Sequence, residues 1–154
     1  MATKVTAKII SIDEVPLDDL RHSPDQKHMV VLVVDDEVLV ADTRADVLSR
    51  AGFSTLTAYD GESALELALS NAPALLISDV AMPGMNGVDL AEAIVRAVPH
   101  CKVLLCSAYT TSMDALNSKV AKYNFPVMAK PLHPTEMLRQ VKVCLDGLQT
   151  QAIA

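Results

Sequence analysis

At 154 residues, the chain has room for one compact domain with a real core and too little for two of ordinary size. Apolar residues make up 51% and aromatic ones 3%, so the core is built from Val, Leu, Ile, Ala and Met, the filling of a buried parallel sheet. A net charge of −6 argues against nonspecific attraction to nucleic acid or to an anionic membrane, both of which need a basic surface, and leaves protein or small-molecule partners.

Residues 1–28 carry charges, Pro16, Pro24 and weak periodicity, and read as an N-terminal extension, either mobile or laid on the domain. Lys8 interrupts the apolar run from Val5 to Ile12 and acidic residues follow, so no cleavable leader is expected, and no run approaches the roughly 18 residues of a membrane span. A cytoplasmic protein is expected. Cys101, Cys106 and Cys144 form no CxxC pair and are odd in number, which suits small core residues in a reducing compartment.

From Met29 the pattern becomes a regular alternation of short apolar runs and longer amphipathic ones. Met29–Val34, Ala74–Ile77, Val103–Cys106 and Val127–Ala129 are too short for helices and predict strands buried on both faces; Ser54–Ala58 is a weaker fifth. Between them, Val40, Val47, Leu48 and Ala51 share one helical face stopped by Gly52. Leu65, Ala68 and Leu69 mark a second helix. Leu90, Ile94 and Val98 mark a third that ends before Pro99, and Leu116, Val120 and Tyr123 a fourth. Met137, Leu138, Val141, Cys144, Leu145 and Leu148 give a fifth after Pro134-Thr135. Five strands alternating with five helices through right-handed crossovers predict an α/β domain over 29–148, with a parallel sheet covered on both faces and a tail at 149–154. Binding is expected outside the carboxyl ends of the strands.

Four of the five strands deliver a charged or reactive side chain to that rim: Asp35-Asp36 after the first, Asp79 after the third, Ser107 at the end of the fourth and Lys130 after the fifth. Carboxylates drawn together need a compensating positive charge, which Lys130 and a hard, oxygen-seeking cation such as Mg²⁺ would supply. Mg²⁺ is commonly shared between carboxylates and phosphate oxygens, so Asp79 is the candidate nucleophile toward phosphorus, with Lys130 and Ser107 stabilising the transferred group. Taken singly, each residue is also an ordinary cap, turn or surface charge; their coincidence on one rim carries the functional reading.

At these residues the sequence resembles the receiver domains of two-component response regulators. VLVVDDE, LLISDVAMPGMNG, LLCSA and VMAKP correspond to the family's four signature blocks, and the match runs from about Met29 to Leu148. The resemblance implies a flavodoxin-like, doubly wound five-stranded sheet of order 2-1-3-4-5, and a stand-alone regulator of the chemotaxis type rather than an enzyme. It implies Asp79 as the phosphorylated residue. Asp36 and Asp79 would be direct Mg²⁺ ligands, Asp35 would hold a metal-bound water, and the Ala81 backbone carbonyl would complete the protein's share. Ser107 and Lys130 would bind the phosphoryl group, with a cis bond open to Lys130-Pro131. The donor would be a sensor histidine kinase or phosphotransfer protein, the reader an unknown downstream protein, and the reader surface the fourth helix, fifth strand and fifth helix. Few residues follow the fifth helix, so output is expected through a partner, with no nucleic acid and no membrane involved.

The sequence departs from the family at Val127, where an aromatic switch residue is common; Tyr109, Tyr123 and Phe125 are nearby in sequence but suit packing. Ala81 and Tyr109 occupy positions that tune hydrolysis in the family and predict slow self-dephosphorylation. Met82 and Met85 suit packing or partner contact, and His22, His28, His100 and His133 have no ligand spacing with the cysteines. Two alternatives stand beside this reading. A phosphatase with an aspartate nucleophile after its first strand would want Asp-x-Asp, where this chain has Asp35-Asp36-Glu37; the other is a receiver that binds partners without being phosphorylated.

Overall fold

The computed structural model describes residues 29–108 and 114–146. The N-terminal extension, Tyr109, Leu148 and the tail lie outside the described residues, as does the side chain of Leu116. Strands and helices alternate without exception: β1 Val30–Val34, α1 Val38–Arg50, β2 Ser54–Ala58, α2 Gly61–Asn71, β3 Leu75–Asp79, α3 Gly87–Ala97, β4 Lys102–Ser107, α4 Asp114–Tyr123, β5 Val127–Ala129 and α5 Pro134–Asp146. All pairings are parallel and the spatial order is β2-β1-β3-β4-β5, the doubly wound arrangement expected from the sequence.

Because successive strand residues point to opposite faces, each apolar run feeds two cores. Val31, Val33, Leu75, Ile77, Leu104 and Cys106 pack with α1 and α5 on one face. Leu32, Val34, Leu76, Val103 and Leu105 pack with α2 and α3 on the other. The central strands are therefore buried on both faces and apolar through their middles, while the edge strand β2 is only partly buried, which is why its sequence signal is weaker.

Helix boundaries follow local chemistry. Asp60 caps α2 by accepting the Ser63 amide at 2.7 Å, and Asn86 caps α3 by accepting the Asp89 amide at 2.9 Å. Helix α2 ends on Ala72 in the left-handed region, with φ 45°, a conformation that costs an alanine more than a glycine.

Two helical faces differ from the expectation. In α1 the buried stripe is Ala41, Arg44, Ala45 and Leu48, with Val40 and Val47 only half-buried at its margins. In α2 it is Gly61, Ala64 and Ala68, leaving Leu69 largely exposed. Both helices turn small residues inward, which lets them lie close to the sheet; a reading that weights the largest apolar residues rotates each face. The three cysteines are free and buried, as expected of core residues.

Candidate phosphoacceptor site

The parallel register brings β1, β3, β4 and β5 to a common level. Val34 pairs with Ser78, Asp79 with Cys106, and Ser107 with Ala129, so the residues closing these strands and those just beyond them share one rim. Backbone bonds continue past the strands and fix the loops: the Val80 amide donates to Cys106 at 2.9 Å, Lys130 to Ser107 at 2.9 Å, and Gly87 to Val80 at 2.9 Å. A side chain at position 87 would overlap the Asp79 carbonyl oxygen, so glycine there lets the start of α3 press against the backbone of the central aspartate. Lys130-Pro131 is cis.

Asp35, Asp36 and Asp79 offer carboxylate oxygens that all lie within 4.8 Å of one another. Among the described residues this is the one group of His, Cys, Asp and Glu close enough to share a metal ion. Asp35 is completely buried. One of its oxygens accepts the Glu37 amide at 2.9 Å, and the other takes Arg44 Nη1 at 3.2 Å and Lys130 Nζ at 3.4 Å. Lys130 Nζ also stands 3.1 Å from Asp79 Oδ1.

Burial pushes the Asp79 carboxyl above its usual value; the Lys130 hydrogen bond and charge offset this in part, and the charges of Asp35 and Asp36 add to the rise. For Lys130, burial works against the ammonium but is outweighed by the Asp79 hydrogen bond and the two carboxylates, so its pKa lies above the ordinary lysine value. Three carboxylates whose hard oxygen donors lie within reach of one another suit a divalent cation. Asp36 and Ala81 are solvent-exposed at the mouth of the site.

Ser107 is buried at the end of β4, with its hydroxyl donating to the Ala108 carbonyl at 3.2 Å. Tyr123 and Phe125 stack on each other at 5.1 Å at the amino end of β5, in packing roles away from the rim, and Val127 is 42% exposed. Met82 is buried, and Met85 packs against the core of α2 and α3. His100 and His133 are exposed, and His22 and His28 lie outside the described residues.

Arg44 is the site residue that the strand-end pattern does not reveal, because it comes from a helix. Its one signal in the sequence is a charge four residues before Leu48, on the face where α1 is otherwise apolar.

A doubly wound parallel sheet with three aspartates, a lysine and a serine gathered at its carboxyl rim defines a class of α/β domain built for charged-ligand chemistry at the strand ends. The chain belongs to the response regulator receiver domain family, whose pattern it matches over residues 31–142. The DNA-binding response regulator MtrA of Mycolicibacterium smegmatis is 32% identical over 115 residues, which cover 75% of this chain and 50% of that protein. The DNA-binding transcriptional regulator NtrC of Escherichia coli K12 is 30% identical over 122 residues, 79% of this chain and 26% of that protein. The chain thus spans half the length of the first relative and about a quarter of the second. Among solved structures, the chemotaxis protein CheY4 of Vibrio cholerae aligns with a TM-score of 0.67 at 27% identity, over 76% of this chain and 98% of that one. A two-component transcriptional regulator from Clostridium phytofermentans aligns at 0.69 and 30% identity, over 80% and 98%. Among the described residues, no helix is long and apolar enough to cross a membrane.

Proposed function

We propose that this receiver domain accepts a phosphoryl group on Asp79 with the help of Mg²⁺. The observation that carries the reading is the placement of Asp79, within 4.8 Å of two further carboxylates and 3.1 Å from Lys130 Nζ. Asp36 and Asp79, with the Ala81 carbonyl, would hold the metal directly, and Asp35 would hold one of its waters. When bound, the ion supplies charge neutralisation at the transferring phosphoryl oxygens.

This chain's own residues supply the rest. An Asp79 carboxylate oxygen attacks phosphorus, the P–N bond to a phosphohistidine breaks, and the imidazole leaves with that electron pair. Lys130, already on Asp79, pairs with a phosphoryl oxygen, and Ser107 turns its hydroxyl from Ala108 to a second. Burial of Asp35 and Asp79 keeps bulk water at the margin of the reaction.

The donor is a sensor histidine kinase or phosphotransfer protein in the cytoplasm. The output is a stand-alone, phosphorylation-dependent protein contact over α4, β5 and α5, where exposed Val127 offers an apolar point. The acidic charge of −6 supports a protein reader rather than nucleic acid or a membrane. The domain assists its own phosphorylation and hydrolysis and turns over no separate substrate. With exposed Ala81 bringing no polar side chain to orient water, hydrolysis is slow.

The test is intact mass after incubation with acetyl phosphate, with and without Mg²⁺, on wild type and Asp79→Asn. A Mg²⁺-dependent phosphate adduct absent from Asp79→Asn is expected. No adduct on folded wild type would instead favour a binding module that works unphosphorylated.

A further inference from the structure

Arg44 enters the acidic site from beneath, out of the buried stripe of α1. Its residue is 8% exposed, and its guanidinium lies 3.2 Å from the same Asp35 oxygen that Lys130 approaches at 3.4 Å. A buried guanidinium is costly to leave unpaired, and so is a fully buried carboxylate, so the two hold each other in place. The remaining Asp35 oxygen carries the Glu37 amide.

We propose that Arg44 is a resident counter-cation that lowers the affinity of the aspartate site for its divalent ion and keeps the site folded without one. The inference rests on the metal-binding part of the proposed function. Three carboxylates facing Lys130 and Arg44 leave one net negative charge at the rim; with Lys130 alone they leave two. A divalent ion is drawn less strongly to the first arrangement, because it meets the repulsion of a fixed positive charge one carboxylate away. Asp35, the partner of Arg44, is also the carboxylate with both oxygens already engaged, so Arg44 ties it down before any ion arrives. Arg44 is therefore a positioning residue. It touches neither the phosphoacceptor nor the phosphoryl group, and acts through Asp35.

The experiment is calorimetric binding of Mg²⁺ alone to the full chain as wild type, Arg44→Met and Arg44→Lys, with thermal melts of each. Methionine fills the buried volume without charge, whereas lysine keeps the charge. Arg44→Met is expected to bind Mg²⁺ about tenfold more tightly than wild type, the low end for removing a unit charge at this range. It should melt lower without the ion and gain more from it, while Arg44→Lys stays close to wild type in affinity. A folded Arg44→Met with wild-type or weaker Mg²⁺ affinity would overturn the proposal. If no folded variant binds Mg²⁺ or Mn²⁺, the metal-binding reading itself fails and takes this inference with it, an outcome distinct from equal binding. Should Arg44→Met not fold, the Arg44 Nε–H resonance of the wild type is followed as Mg²⁺ is added: a shift at saturation is expected, and an unmoved resonance would overturn the proposal.

Discussion

Replacing Asp79 with asparagine removes the proposed chemistry, yet it is expected to make the metal-free domain more stable at neutral pH. At an effective dielectric near 20, Lys130 at 3.1 Å attracts the Asp79 carboxylate by about 5 kcal/mol, and Asp35 and Asp36, each at up to 4.8 Å, each repel it by about 3.5 kcal/mol or more. The charges together do not favour the carboxylate, and to this is added the cost of holding it charged at 6% exposure, which is several kcal/mol for a buried ion. Asparagine keeps the shape and avoids that cost, so a net gain of about 1–3 kcal/mol is expected, or roughly 4–12 °C in Tm for a domain of this size.

The pH dependence fixes the sign. The folded-state pKa of Asp79 is raised, so its contribution to stability is fully present below the unfolded pKa and is lost as pH rises through the folded one. The advantage of Asp79→Asn is therefore present at neutral pH and closes on acidification, as the wild type takes up its proton. Thermal melts of both proteins in chelator, in steps between neutral and mildly acidic pH, measure this difference directly. A variant less stable than wild type at neutral pH, or a gain that persists unchanged in acid, would refute the reasoning.

Gly87→Ala should cost about 3 kcal/mol or more, because the added carbon meets the Asp79 carbonyl and α3 must move; chemical denaturation measures it, and phosphorylation should fall with it. Ala72→Gly should raise stability by about 0.5–1 kcal/mol by relieving the left-handed C-cap of α2, read as a higher denaturant midpoint at unchanged slope. The buried thiols should resist modification in the native state: burial pushes Cys101 up to about 12 and Cys106 and Cys144 to about 11. A thiol reagent at pH 8 should label almost none of them in the folded protein and all three in denaturant, and rapid native labelling would contradict the packing.

Much of the fold was legible because the central strands are apolar on both faces, and only a parallel sheet wrapped by helices asks for that. Val30–Val34 and Leu75-Leu76-Ile77 leave no polar side to mistake. The rim was legible for a related reason: Asp35-Asp36, Asp79, Ser107 and Lys130 each follow such a run, and parallel pairing brings strand ends to one level. Helix faces were harder. Val40 and Val47 carry a stronger hydropathy signal than Ala41 and Ala45, yet close approach to the sheet favours the alanines, and the charge of Arg44 hides a core-facing position. The pairing of Arg44 is unreadable in advance because its partner Asp35 is nine residues away, set by how α1 docks rather than by any local spacing. The resting position of the Ser107 hydroxyl on Ala108 is likewise a matter of rotamer, which no pattern in the sequence encodes.

The alternation along β3 has a mechanical consequence. Leu75 and Ile77 are keyed into the core beneath α1 and α5, and Leu76 into the core beneath α2 and α3, so the strand that ends in Asp79 is clamped from both sides by close-packed matter. It behaves as an anvil: new charge delivered to its tip cannot be absorbed by sliding the strand, so any response falls to the side chains gathered around that tip.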